Sequence, residues 1–217
     1  MKEIRCVPER LDRWLTGFAE RHGETSYTAT PDEVTVTATD GARAEFRVPF
    51  PPLMVDETLP YAGLVEHARR DRAVGVVLVR MGGYAAGVFE GRRLVASKVG
   101  ARLVQGRSAA GGWSQQRFAR RREKQAREAF GAAADVVARV VVPRAEAGEL
   151  DAVVVGGDKR AVEQVLEDSR LAALRALVVP PHLHVPDPRL AVLRRTPEEF
   201  RAVHIRLSEP ELTVPST

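Results

Sequence analysis

Between residues 111 and 124 the chain reads Gly111-Gly112-Trp113-Ser114-Gln115-Gln116-Arg117-Phe118-Ala119-Arg120-Arg121-Arg122-Glu123-Lys124. Two glycines in a basic loop let the backbone take unusual dihedrals and approach a ligand with no Cβ in the way. From Ser114 onward the pattern is helical. Arg117, Arg120, Arg121, Lys124 and Arg127 recur at i, i+3, i+4, i+7 and i+10 and share one face. Phe118, Ala126, Ala129, Phe130, Ala133 and Val137 fall on the opposite face. The spacing predicts a helix over residues 114–141 with one side in the core and the other a stripe of positive charge. Mixed charges on a helix usually mean a solvated face. A stripe of one sign repels itself unless a polyanion lies against it, which points to nucleic-acid contact. The glycine loop alone reads equally as a connector whose Ser114 caps the helix.

The rest of the chain sets this segment apart. Of 217 residues, 44% are hydrophobic and 29% charged, enough for one good core and a small second one and too apolar for a disordered chain. The formal net charge is +4, yet residues 101–130 carry eight basic side chains against Glu123 and Glu128, leaving the remainder at −2. Lysine stands only at 2, 98, 124 and 159, so the other basic residues are arginine. That bias fits a GC-rich genome as well as phosphate recognition, and the clustering favours the second. No stretch approaches the roughly 18 to 20 apolar residues of a membrane span, and Met1 to Val7 lacks an apolar signal segment. A soluble, cytoplasmic protein is expected. The single Cys6 cannot form an internal disulfide, and five histidines without paired cysteines give a structural zinc site little to build on.

Outward from the loop, the chain divides. A helix is predicted over Pro8 to His22, with Leu11, Trp14, Leu15 and Phe18 at helical spacing. Three short strand-like runs follow at 26–30, 34–39 and 44–50, with Asp40-Gly41 as a hairpin signal. Pro49, Pro51 and Pro52 break the pattern, placing a small α+β domain at 1–58 and a second domain at 59–217. The second begins with a helix over 59–70 and a buried-type strand over 73–80. Strands at 84–90 and 93–99 complete a meander, and a loop over 100–112 leads to the long helix. A strand over 150–155, the Gly156-Gly157 turn and a helix capped by Asp158 through Leu166 come next. A mixed apolar segment at 171–179, a loop at 180–188 and an amphipathic helix over 197–207 finish the chain. This order predicts a three-layer α/β domain.

The stretch from Gly111 to Lys124 resembles the central domain of the eukaryotic and archaeal class I peptide-chain release factors. In that family a Gly-Gly-Gln loop is followed by Ser and a basic helix containing Arg-Phe-Ala-Arg, here Arg117-Phe118-Ala119-Arg120. The strand at 74–79, the strand at 84–90 and the glycine-ended strand at 150–157 flank it in the family's order. The resemblance covers roughly residues 60–209 in architecture and about twenty residues closely, and it implies a ribonuclease H-like three-layer fold. Trp113 stands where the release factors have glutamine. Gly112-Trp113-Ser114-Gln115 instead looks like the Gly-x-x-Gln variant of the release-factor-like peptidyl-tRNA hydrolases, the Vms/ANKZF type and its bacterial relatives. Those proteins cut nascent chains from tRNA on stalled large ribosomal subunits. This chain lacks the zinc finger, ankyrin repeats and partner-binding tail of the eukaryotic members.

The resemblance implies that Gly111, Gly112 and Gln115 form the catalytic loop, with Gln116 as the competing glutamine. It also implies that Arg107, Arg117, Arg120, Arg121, Lys124 and Arg127 hold tRNA or ribosomal RNA, and that no metal or cofactor is needed. Glutamine does not titrate, so its work would be to position water and hydrogen-bond developing charge. Trp113 is open between stacking on a base and anchoring the loop. The expected partners are peptidyl-tRNA, the large ribosomal subunit and ribosomal RNA. The expected activity is ribosome rescue rather than decoding, because residues 1–60 are too short for a codon-reading domain and lack its motifs.

Two rival readings follow from other features. A non-catalytic ribosome or RNA adaptor of the Pelota type fits the loss of glutamine at Trp113. A nuclease would use Asp71, Glu90 and Asp151, though the sequence does not bring them together. His182 and His184 share one side of an extended segment without a Cys or acidic partner. Gly82-Gly83 and Gly156-Gly157 read as turns, since neither has the spacing of a phosphate cradle.

Overall fold

The computed structural model describes residues 1–101 and 114–210, with the side chains of residues 114–122 undescribed. The chain forms two compact units, Met1–Arg70 with Glu198–Thr217, and Asp71–Pro197. The expected cut at 58/59 differs from this division, because residues 59–70 and the C-terminal strand pack with the first unit.

In the first unit, strand β1 (Lys2–Cys6) leads through a 3-10 turn to helix α1 (Leu11–His22). Strands β2 (Thr25–Ala29), β3 (Glu33–Ala38) and β4 (Arg43–Arg47) follow, then helix α2 (Leu64–Arg69). Leu11, Leu15 and Phe18 of α1 are buried against Val34, Val36, Ala44 and Phe46 of the sheet. The second unit opens with β5 (Ala73–Arg80), β6 (Gly83–Glu90) and β7 (Arg93–Ala101), the expected meander. The long helix α3 (Ser114–Val140) is followed by α4 (Val142–Glu146), β8 (Ala152–Gly157) and α5 (Lys159–Leu166). Asp158 caps α5, its Oδ1 accepting from the Ala161 N–H at 3.2 Å. Short helices α6 (Ala172–Arg175), α7 (Leu190–Arg195) and α8 (Pro197–Phe200) precede β9 (Val203–Ser208).

Here the structure corrects the predicted terminal helix over 197–207. Only the turn Pro197–Phe200 is helical, and residues 203–208 form a strand between β1 and β4 in a five-stranded antiparallel sheet ordered β1-β9-β4-β3-β2. Val203, Ile205 and Leu207 are buried while the alternate residues face outward. That is the period of two a strand requires.

The second unit's sheet is mixed, ordered β7-β6-β5-β8, with β8 parallel to β5. Val77, Val79, Ala86, Val88, Val153 and Val155 pack against Ala133 and Val137 of α3 and Val162 and Val165 of α5. Leu193 of α7 covers the opposite face at Gly87. Two helical layers thus enclose a β5 that is buried from Val74 to Val79. This double cover explains its unbroken apolar run.

Candidate functional site at one end of the sheet

Arg80 pairs with Gly83, Gly83 with Ala101, and Val79 with Gly157, so β5, β7 and β8 all finish at the same end of the sheet. The carboxyl ends of parallel strands are where α/β folds place ligands. Helix α3 starts beyond this end. Its Ala126, Ala129 and Phe130 lie against the β5–β6 turn, whereas Val141, just after its last residue, lies over Gly75 near the start of β5. The first turns, from Ser114 to Gln125, therefore extend past the strands by about 18 Å at 1.5 Å per residue.

Arg107, Gly111, Gly112 and Trp113 lie outside the described residues. Ser114, Gln115, Gln116, Arg117, Arg120 and Arg121 have helical backbone at the start of α3. Lys124 and Arg127 are exposed, and Ala129, Ala133 and Val137 are buried, as the two-faced pattern requires. Ala101 and Ser114, the described residues on either side of the glycine-bearing segment, both belong to this end of the unit.

Two further features of this end of the sheet were not legible in the sequence. The loop after Pro180 runs along β8, with the Leu183 and Gly157 N–H groups donating to the Val155 and Leu183 carbonyls at 2.9 Å each. Gly156 permits this approach, since a Cβ there would meet Leu183 Cβ at 2.6 Å. The His182 Nε2 lies 3.0 Å from the Gly157 carbonyl oxygen, and Arg80 donates to the Val185 carbonyl at 3.0 Å. A groove of about 460 Å³ results, lined by Met81, Gly83, Gly100, Ala101, Pro188 and Arg189 among others, where the chain leaves β7. Lys159 and Arg160 at the start of α5 also lie at this end, exposed and with no carboxylate within ion-pair distance among the described residues. The only hint in the sequence was the Gly-Gly-Asp-Lys-Arg run that turns β8 into α5.

The proposed nuclease carboxylates do gather, but at the opposite end of the sheet, and they are engaged in structure. Asp151 accepts from the Ala73 N–H at 2.7 Å, and Asp71 packs against Gly91. Glu90 is bound by Arg144 at 3.1 Å and by Arg93, hydrogen bonds that hold its carboxyl below the usual range. His182 and His184 sit with ring centroids 6.1 Å apart. Among the described residues no group of three or more His, Cys, Asp or Glu is placed to hold a metal ion. The Cys6 thiol is buried in the first unit, and burial pushes its pKa up, away from a nucleophile's. No described helix is long and apolar enough to cross a membrane.

What the fold and this end of it define is an α/β protein whose long helix α3 starts beyond the carboxyl ends of the sheet strands, with Gln115 and Gln116 in its first turn. The model of the Actinobacteria/chloroflexi VLRF1 release factor family matches residues 72–206, and the chain belongs to that family. Peptide chain release factor subunit 1 of Thermococcus onnurineus is 30% identical over 129 residues, 57% of this chain and 31% of that one. The protein of the same name from Pyrococcus abyssi is 31% identical over the same length and shares. The match therefore spans about a third of these relatives. Among solved structures, the archaeal translation termination factor aRF1 superposes with a TM-score of 0.46 at 19% identity, covering 91% of this chain and 64% of that one. The Vms1 mitochondrial localization core gives 0.46 at 8% identity, covering 90% and 80%.

Proposed function

We propose that the protein is a peptidyl-tRNA hydrolase that releases nascent chains from tRNA on stalled ribosomal complexes in the cytoplasm. The observation that carries this reading is the projection of α3 beyond the sheet, with Gln115 in its first turn and Lys124 and Arg127 exposed further along, in a chain of a release-factor family. In this reading the basic face docks on tRNA and ribosomal RNA phosphates and brings the Gly111-Gly112 loop to the tRNA 3′ end.

The reaction is attack of water on the ester carbonyl joining the peptide to the terminal ribose. Water's oxygen bonds to the carbonyl carbon, one proton passes to the departing ribose oxygen, and the peptide leaves as a carboxylic acid. Gln115 orients the water through its amide oxygen, while backbone N–H groups of the glycine turn stabilise the oxyanion. No titratable side chain of this protein is assigned to the step. The RNA cavity supplies the remaining environment.

The test is release of a labelled nascent chain from peptidyl-tRNA on isolated large ribosomal subunits, in metal-depleted buffer. The unaltered protein is expected to release it, Gln116→Ala to retain activity, and Gln115→Ala to bind subunits but release nothing. Binding without release by the unaltered protein replaces the enzyme with the adaptor reading, which Trp113 in place of glutamine favours.

A further inference from the structure

The open face of the first unit's sheet, away from α1, carries a charge arrangement that the hydrolase reading leaves unused. Arg5 of β1, His204 of β9 and Arg47 of β4 are register partners and form a row across three strands. One row along, Arg206 is neutralised by Glu33 at 3.2 Å and by Glu45 at 2.7 Å. Arg201 is likewise taken by Glu9 at 3.1 Å and Arg43 by Glu45 at 3.0 Å. Arg5 and Arg47 have no carboxylate within ion-pair distance among the described residues, and the same is true of Arg10 and Arg13 at the start of α1.

These free guanidiniums are contiguous. A groove of about 350 Å³ on the open face is lined by Arg5, Arg47 and Arg206 together with Glu3, Glu33 and Glu45, so its charge is balanced and the unpaired excess lies towards β1. A second, of about 580 Å³, is lined by Arg5, Arg10, Arg13 and Trp14 among others, and the two share Ile4 and Arg5. Because β1 is the outer strand of the sheet, the track bends around its edge from the open face to α1. Trp14 is half-buried and held rigid, stacked on Phe18 at 5.5 Å between ring centroids and edge-on to Phe46 at 5.3 Å. His204 is partly buried, its buried Nε2 has no hydrogen-bond partner among the described residues, and it faces Arg5, Arg47, Glu3 and Glu199, with burial the main cause of its lowered pKa.

We propose that this track is a second RNA-binding surface, independent of the basic helix, which holds a single-stranded ribonucleotide chain. Arg5, Arg10 and Arg13 grip successive phosphates, and Trp14 stacks on one base. Arginine forks suit phosphate oxygens, and a rigid indole beside them is the stacking platform that sequence-tolerant single-strand binding uses.

Tryptophan occurs only at positions 14 and 113, so in the full chain carrying Trp113→Phe all indole emission comes from Trp14. A 12-residue oligouridylate is titrated into this protein at low salt. Trp14 emission is expected to be quenched, and the quench to persist when Arg117, Arg120, Arg121, Lys124 and Arg127 are all changed to glutamine. Adding Arg5→Gln, Arg10→Gln and Arg13→Gln is expected to raise the quench midpoint at least tenfold and lower the slope of log K against log salt by about 2, at roughly 0.7 per single-strand phosphate. The three side chains are exposed, so the melting curve should not move. No quench, a quench indifferent to the three arginines, or one lost on neutralising α3 would each overturn the proposal. Equal quenching by polyglutamate would also overturn it, since that chain offers charge without a base to stack.

Discussion

A Cβ on Gly157 would lie 2.1 Å from the carbonyl oxygen of Val79, on the neighbouring parallel strand. Gly157 also holds φ +98°, which L side chains rarely adopt, and its carbonyl oxygen is the partner of His182. One residue thus closes β8, admits the turn into α5 and ties down the loop beside the candidate site.

Gly157→Ala is therefore expected to destabilise the second unit by about 2 to 4 kcal/mol, summing backbone strain and a steric clash. Urea unfolding followed by far-ultraviolet circular dichroism checks this. A variant as stable as the parent would mean that the close approach to Val79 relaxes freely.

Lys124 and Arg127 test the basic face without touching the core, because both are exposed. Lys124→Gln together with Arg127→Gln is expected to weaken binding to large ribosomal subunits. The slope of log K against log salt should become shallower by roughly 0.7 to 0.9 per lost phosphate contact. Stability should stay within about 0.5 kcal/mol of the parent, as for other exposed substitutions. Unchanged salt dependence would leave the stripe as a solvated helix face.

Much of this site could be read along the chain because its parts are contiguous. The stripe repeats at helical spacing over a long stretch, and the glycines adjoin it. The other residues at this end of the sheet could not be read the same way. Whether Pro188 lies beside Gly83, or His182 beside Gly157, depends on the fit of Leu183 against Gly156, which no local pattern encodes. The first unit hid for a similar reason. The alternation of Val203, Ile205 and Leu207 follows directly on a helical turn, and its strand partners lie almost the whole chain away, with Lys2 facing Leu207. The short run Lys2–Cys6 buries only Cys6 and so carries little strand signal of its own.

Acid should expose the second unit's surface ion network. Arg170 binds Asp168 through Nε at 2.9 Å and Nη2 at 2.8 Å, and Asp135 of α3 through Nη1 at 2.8 Å. These contacts, with the Arg170 N–H, hold the Asp168 carboxyl at about 2. An ordinary aspartate titrates near 3.9, so the unfolded chain takes up this proton first as pH falls. The stabilisation is whole above roughly pH 5 and fades as pH drops through 4 towards 2. The difference in urea midpoint between parent and Asp168→Asn should be constant above pH 5, narrow below pH 4 and close only around pH 2 and below. A gap that widens in acid would reverse the assignment.

Strand β9 provides the sharpest test of the first unit's architecture, since it lies between β1 and β4 rather than at an edge. Ile205 is 1% exposed and pairs with Ile4 on one side and Phe46 on the other. Truncation to alanine should cost about 2 to 5 kcal/mol, the range for a buried isoleucine that leaves a cavity. The chain carries its own reporter: Cys6, its sole cysteine, is buried beside β9 as the register partner of Val203. Thiol labelling in the native state follows the open population, and each 1.4 kcal/mol is tenfold. Ile205→Ala should accordingly speed Cys6 labelling by roughly thirtyfold to a few thousandfold. Val77→Ala, a core change in the other compact unit, should leave the labelling rate near the parent's. If Ile205→Ala leaves labelling unchanged, β9 is not holding β1 in place and the central-strand assignment fails. Equal acceleration by both variants would show that the two units open together as one cooperative body.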